Sequence, residues 1–258
     1  ALSYLVAGIA HSPLSERLVL KGGTALSKFY YRGYRFSEDL DFSTRSPAPL
    51  SNLYGELESA LQRTRELLAE RGPFEVRAEP LHLREPHPFE QAAFLVYFQF
   101  PHHRQPLCRL KVEITVDEVL LLPPHHRGLF HDYNERLSCQ VQVYDLAEIV
   151  AEKMRALLQS RRRLQTRGWG ASRVCRDFYD LWFILKHESL ADRAIPDLVR
   201  QKCAWRGVAF TEPHELVADE LLQTARREWQ VQILPFLKTP IFHEQVLEEV
   251  VPLILDLW

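Results

Sequence analysis

Asp39 and Asp41 stand two residues apart in the run RFSEDLDF, and they are the residues of this 258-residue chain whose spacing most directly suggests chemistry. On a strand, side chains alternate between faces, so both carboxylates would share one face while Leu40 and Phe42 take the other. Like charges side by side on a sheet are unfavourable unless a cation lies between them, and paired hard oxygens suit Mg²⁺ or Mn²⁺. Taken alone, a D-x-D pair more often decorates a solvated strand or turn. Its weight rises here because Gly22 and Gly23 lie upstream, between the apolar run Leu18, Val19, Leu20 and a stretch from Thr24 to Tyr31 that contains neither Gly nor Pro. That is a strand-turn-helix pattern. Glycines without Cβ atoms let backbone N–H groups approach a ligand, and a helix over 24–31 would turn its positive end to the same place. An anion such as a triphosphate suits that corner.

A third carboxylate comes from a strand expected over 107–116. Leu110, Val112, Ile114 and Val116 alternate with Lys111, Glu113, Thr115 and Asp117, which sets Glu113 at the middle of the polar face. The plain alternative is an exposed edge-strand glutamate. Further along, Asp145 with Glu148 three residues on reads as a capping-box variant that opens a helix through about residue 162. Its apolar stripe is Leu146, Ile149, Val150, Met154 and Leu157, and Lys153 falls on that stripe. A lysine on a packed side is costly unless it is paired or reaches a polar cleft. The next helix, expected over 172–186, turns Val174, Phe178, Leu181, Trp182 and Leu185 inward, with Asp177 at the edge of the stripe. From pattern alone, a structural salt bridge between Lys153 and Asp177 is slightly favoured. Between those helices six arginines fall within 161–176 without an acid, with Gly168, Trp169 and Gly170 interleaved. Arg161, Arg162, Arg163, Arg167 and Arg173 could grip RNA phosphates, and Trp169 could stack on a base; a solvated loop is the bland alternative.

Other elements must position these groups. A helix over 51–70, with Leu53, Leu57, Ala60, Leu61, Leu67 and Leu68 near helical spacing, would cover one face of the sheet until Gly72 and Pro73 stop it. Strands are expected over 74–79 and 93–100, the latter joined to the 107–116 strand by an antiparallel connection through Pro101 and Pro106. Residues 120–131 read as a loop or linker into a helical half, and further helices are expected over 190–204, 212–230 and 241–257. The histidine pairs 102/103 and 125/126 read as loop residues rather than ligands, because neighbours rarely chelate one ion together.

Composition narrows the classes. Hydrophobic residues make up 46% of the chain, enough for a real core, and the formal net charge is only −2, so any nucleic-acid surface must be local. Cys108, Cys139, Cys175 and Cys203 form no C-x-x-C pair, which suggests neither a zinc site nor a disulfide framework and fits a reducing cytoplasm. No apolar run approaches the roughly 18 residues of a membrane span, residues 1–10 lack a basic leader, and the start at Ala1 without Met leaves room for residues upstream.

Gly22-Gly23 followed by Ser37-x-Asp39-x-Asp41 resembles the polymerase-β-type nucleotidyltransferase superfamily. More narrowly, KGGTAL with RFSEDLDF, then Glu152-Lys153-Met154-Arg155-Ala156-Leu157 and Arg176-Asp177-Phe178-Tyr179-Asp180-Leu181, resembles the AbiEii/AbiGii nucleotidyltransferase toxins, which include the MenT-like toxins. The match runs from residue 18 to about 185. The resemblance implies an α+β fold, with a polymerase-β-like lobe of mixed sheet flanked by helices over 1–138 and a helical lobe over 139–258. It further implies Mg²⁺ or Mn²⁺ held by Asp39, Asp41 and Glu113, an NTP bound by Lys21, Gly22, Gly23, Thr24 and Ser37, and Lys153 and Asp177 facing the cleft. It implies transfer of a nucleotidyl group to an acceptor hydroxyl, with the 3' end of tRNA the acceptor in some members, and a cognate antitoxin or a role in phage defence. Two other readings stay open: a small-molecule or protein hydroxyl as acceptor, and a catalytically inactive module that binds nucleotide or a partner.

Overall fold

The computed structural model of the chain describes residues 1–45, 50–81, 91–171 and 173–258. They form two compact units, Ala1–Tyr144 and Asp145–Trp258. The first begins with α1 (Leu2–Ala10), whose residues from Ser3 to Ile9 are all buried. Strand β1 (Leu18–Lys21) runs directly into α2 (Gly22–Ala25), which continues as a π-helical turn over Leu26–Tyr30. The helix therefore starts at the first glycine rather than at Thr24. After β2 (Leu40–Thr44) come α3 (Leu50–Ala69), β3 (Glu75–Pro80), β4 (Gln91–Gln99), β5 (Cys108–Thr115), β6 (His125–Gly128) and β7 (Gln140–Val143).

All seven strands belong to one mixed sheet in the order β3-β4-β5-β2-β1-β7-β6. Strands β2 and β5 run parallel, as do β1 and β7, and the other neighbours are antiparallel. The register explains the alternation in the sequence. Leu20, Phe42, Ile114 and Ala92 lie opposite one another across four strands and are all buried, as are Val112 and Phe94 one pleat on. One step along, on the other face, Lys21, Asp41 and Glu113 are half-buried and polar. Helix α3 packs with α1 and against β3 and β4, where the Tyr54 and Phe94 rings meet edge-on at 5.2 Å.

Two expectations change here. The stretch 120–131 is not merely a linker, because His125–Gly128 pairs with Gln140–Val143 and closes the sheet at its edge. Both histidines of that edge strand are exposed, so the apolar alternation that announces a half-buried strand is missing. The sheet also extends past the expected boundary at residue 138, since β7 belongs to it and the chain divides between Tyr144 and Asp145.

The second unit is helical: α4 (Leu146–Arg167), α5 (Val174–His187), α6 (Ile195–Trp205), α7 (Asp219–Gln232) and α8 (His243–Leu255), with short 3₁₀ turns between them. The Asp145 carboxylate caps α4 by accepting from the Ala147 amide at 2.8 Å. Its expected capping-box partner does otherwise: Glu148 is fully buried and takes the Lys202 ammonium of α6 at 2.7 Å. Arg161, Arg162, Arg163 and Arg167 lie on α4 rather than in a loop, because nothing breaks the helix until Gly168 adopts φ 73° and accepts the left-handed cap. Ser172, the expected start of α5, lies outside the described residues; α5 begins at Val174.

Candidate active site

In the first unit the polar row of the sheet reads Lys21 on β1, Asp41 on β2 and Glu113 on β5, each directly opposite the next. Residues opposite one another on neighbouring strands share a face. Two carboxylates and a lysine thus stand side by side, half-buried, over the apolar row beneath. Asp39 does not join the strand, which begins at Leu40, so the expectation that strand alternation aligns both aspartates holds for Asp41 only. Asp39 belongs instead to the loop that precedes β2, and its carbonyl accepts from the Thr24 hydroxyl at 2.5 Å. The same hydroxyl is hydrogen-bonded to Ser37 Oγ at 2.9 Å. Thr24 is buried, so this pair of bonds fixes the acidic loop to the start of α2.

The two glycines are required for separate reasons. Gly22 has φ 72°, a conformation that costs an L side chain about 1–2 kcal/mol, and a Cβ there would lie 3.1 Å from Asp41 Oδ2. Gly23 has no such angle, but its Cβ would stand 2.8 Å from Arg35 Nη2 and 3.0 Å from Ser37 Oγ. The glycine pair lets one carboxylate, one guanidinium and one hydroxyl converge on the strand-helix turn. Arg35, which is buried, is the functional candidate that spacing arguments missed. An arginine beside an acidic motif reads as an ordinary charge, and only its place against Gly23 shows otherwise. Tyr144 braces the corner, its hydroxyl donating to Ser43 Oγ at 2.8 Å while its carbonyl accepts from the Tyr30 hydroxyl at 2.5 Å. Lys21 Nζ stands 5.8 Å from the centre of the Tyr144 ring.

Glu113 has two partners. Lys111 Nζ lies 2.8 Å from Oε2, and Gln91 Nε2 donates to Oε1 at 3.4 Å. Among the described residues no three His, Cys, Asp or Glu side chains are gathered closely enough to hold a metal ion as they stand. The donor chemistry nevertheless fits a hard divalent cation. Asp41 and Glu113 are adjacent, share a face and remain partly open, and Gly22 keeps clear the space beside Asp41 Oδ2.

In the second unit Lys153 and Asp177 are brought together, with Asp177 Oδ1 accepting from Nζ at 3.1 Å. A second acid, Asp180, lies closer still at 2.5 Å through Oδ2 and is wholly buried. The i, i+3 spacing of Asp177 and Asp180 on α5 sets both on one side, a signal that could have been read from the sequence. Burial pushes the Asp177 carboxyl above its ordinary range, with Lys153 pulling the other way and Asp180 adding to the rise. Of the arginines, Arg161 is committed to Glu215 at 2.7 Å and Glu220 at 2.9 Å. Arg162, Arg163, Arg167, Arg173 and Trp169 are exposed, Trp169 to 66%.

A family model described as the nucleotidyl transferase AbiEii toxin of type IV toxin–antitoxin systems matches residues 3–248. The chain belongs to that family. It is accordingly a nucleotidyltransferase of the toxin class. Among solved structures it is similar to MenT4, a nucleotidyltransferase toxin from Mycobacterium tuberculosis H37Rv, at 22% identity and a TM-score of 0.62 over 99% of this chain and 81% of that one. At that identity the likeness establishes the shared fold. No curated protein sequence matches this AbiEii-family chain. Among its described residues no helix is long and apolar enough to cross a membrane.

Proposed function

We propose that this enzyme transfers a nucleotidyl group from an NTP to the 3'-terminal hydroxyl of tRNA in a metal-dependent reaction. The observation that carries the proposal is the row Lys21, Asp41, Glu113 beside a glycine turn that admits Asp41, Arg35 and Ser37. Asp41 and Glu113, with Asp39 from the preceding loop, would hold Mg²⁺ or Mn²⁺. A cation bound there would lower the pKa of the acceptor hydroxyl and offset charge on the departing pyrophosphate. In the transfer, the acceptor oxygen bonds to the α-phosphorus as the bond from that phosphorus to the bridging oxygen breaks. The Gly22 and Gly23 amides, the Thr24 and Ser37 hydroxyls and Lys21 would bind the triphosphate. Arg35 adds a guanidinium matched to phosphate geometry.

Lys153 and Asp177 enter by the family motifs they match. Those motifs would give the lysine a phosphate-neutralising role and the aspartate an orienting one, within the pair they already form. The exposed Arg162, Arg163, Arg167 and Arg173, with Trp169, supply a local basic and aromatic surface suited to RNA on a chain whose net charge is −2. Arg161 leaves that set because two glutamates already hold it. Family membership makes a cognate antitoxin the natural protein partner, and four free thiols accord with a cytoplasmic setting.

The test is incubation with Mg²⁺, each labelled NTP in turn and total tRNA, beside an Asp39→Ala control. Label should enter RNA in the wild type and not in the control. Label appearing on protein or small molecules would move the acceptor elsewhere, and no turnover with any NTP would remove the proposal.

A further inference from the structure

Resting on the metal assignment just made, we propose that Lys111 is an internal competitor for the cation and sets how tightly the site binds it. Lys111 and Glu113 are two apart on β5, so their side chains share the polar face, and the ammonium lies 2.8 Å from Glu113 Oε2. Gln91 Nε2 reaches the other oxygen at 3.4 Å. Both oxygens of the carboxylate that stands opposite Asp41 therefore have a donor from the protein itself.

Counting charges across the face gives Lys21 and Lys111 against Asp41 and Glu113, a row that is neutral without any ion. A divalent cation that takes Glu113 Oε2 as a ligand must displace the Lys111 ammonium, and one that takes Oε1 instead still feels that ammonium as a neighbouring like charge. The lysine and glutamate side chains retain 29% and 15% exposure, so the ammonium can swing into water when it leaves. Lys111 thus weakens cation binding while keeping the two acids from repelling each other before the cation arrives. Binding becomes an exchange of one cation for another rather than simple addition. Gln91, which is neutral, has no such effect.

The experiment measures Mn²⁺ affinity by the loss of the free-ion electron paramagnetic resonance signal, without substrate, for wild type, Lys111→Met, Lys111→Arg and Glu113→Gln. Thermal melting of each variant confirms that it is folded. Lys111→Met keeps the aliphatic stem and removes the charge, and it should bind Mn²⁺ roughly two- to fivefold tighter, the worth of one partly exposed charge pair. Lys111→Arg should stay within about twofold of wild type, and Glu113→Gln should weaken binding. Equal or weaker binding by Lys111→Met, with wild type binding normally and Glu113→Gln impaired, overturns this inference and leaves the metal assignment standing. Absence of Mn²⁺ binding by wild type overturns the metal assignment and the inference with it.

Discussion

The two units solve the same electrostatic problem in opposite ways. On the sheet of the first unit, Lys21, Asp41 and Glu113 form a row of opposed charges, with Lys111 beside Glu113 on the same strand, that stays half-open. In the second unit α4 carries charge to the interior on two sides: Lys153 meets Asp177 and Asp180 of α5, and Glu148 and Glu152 meet Lys202 of α6. Lys202, Glu148 and Asp180 have no exposed surface. An ion pair that keeps contact with water gains little and can be rearranged by a ligand, whereas one removed from water is expensive to break because a lone charge is left behind. The proposed function accordingly puts exchangeable ligands on the open row, while the enclosed Lys202 cluster is built to hold helices together.

That contrast can be broken most sharply at Asp41. Asp41→Asn keeps the shape and removes the charge; nucleotidyl transfer should fall at least about 10³-fold, or ~4 kcal/mol of barrier, with the melting temperature nearly unchanged. A variant that melts early yet turns over normally would reverse the assignment of open and enclosed sites. Lys202→Ala should do the opposite, costing about 3–5 kcal/mol of stability by taking the ammonium away from buried Glu148, and calorimetry should show a drop of many degrees. Lys153→Ala decides on which side of the contrast that lysine falls. A loss of roughly 10²-fold in turnover with stability retained supports the phosphate role, and lost stability with normal turnover supports the structural pair. Gly22→Ala is gentler: about 1–2 kcal/mol for the φ of 72°, plus crowding at Asp41 Oδ2, so Mn²⁺ affinity should weaken while the fold persists.

The open half of the comparison was the more legible in sequence. A period of two put Asp41 and Glu113 each on the polar face of its own strand, the resemblance put those strands side by side, and β5 and β4 fell within two residues of their expected ends. Asp39 escaped because alternation says nothing about where a strand begins. Helix α1 was missed because LSYLVAGIA is apolar all round and carries no stripe, as befits a helix buried on every side. Strands β6 and β7 are four residues each, too short for a period to register. In the helical half, the arginine run gave no helix stop before Gly168, and its first member turned out to be paired. Although burial opposes ionisation, Thr211, the Glu212 amide and Arg161 together hold Glu215 below the usual carboxylate range. Pairings of that kind, between residues some 50 apart in the chain, leave no local trace.

The smallest expected effect concerns Asp177, and its sign follows from the enclosure. Two acids share one lysine, so burial leaves the Asp177 carboxyl easier to protonate in the folded chain than in the unfolded one, where its ordinary value is 3.8. As pH rises above 3.8, the unfolded chain releases that proton first, the native state binds more protons, and stability falls with pH until the folded carboxyl also ionises. Because the charges of Lys153 and Asp180 act on it, the slope belongs to the cluster and cannot exceed about 1.4 kcal/mol per pH unit for one proton. Asp177→Asn removes that contribution. Denaturant titrations from pH 4 to 7 should show wild type losing ground to Asp177→Asn as pH rises, then a constant gap once the carboxyl is ionised in both states. Parallel curves throughout would mean that water reaches this carboxylate, and the distinction between an open row and an enclosed cluster would fail at Asp177.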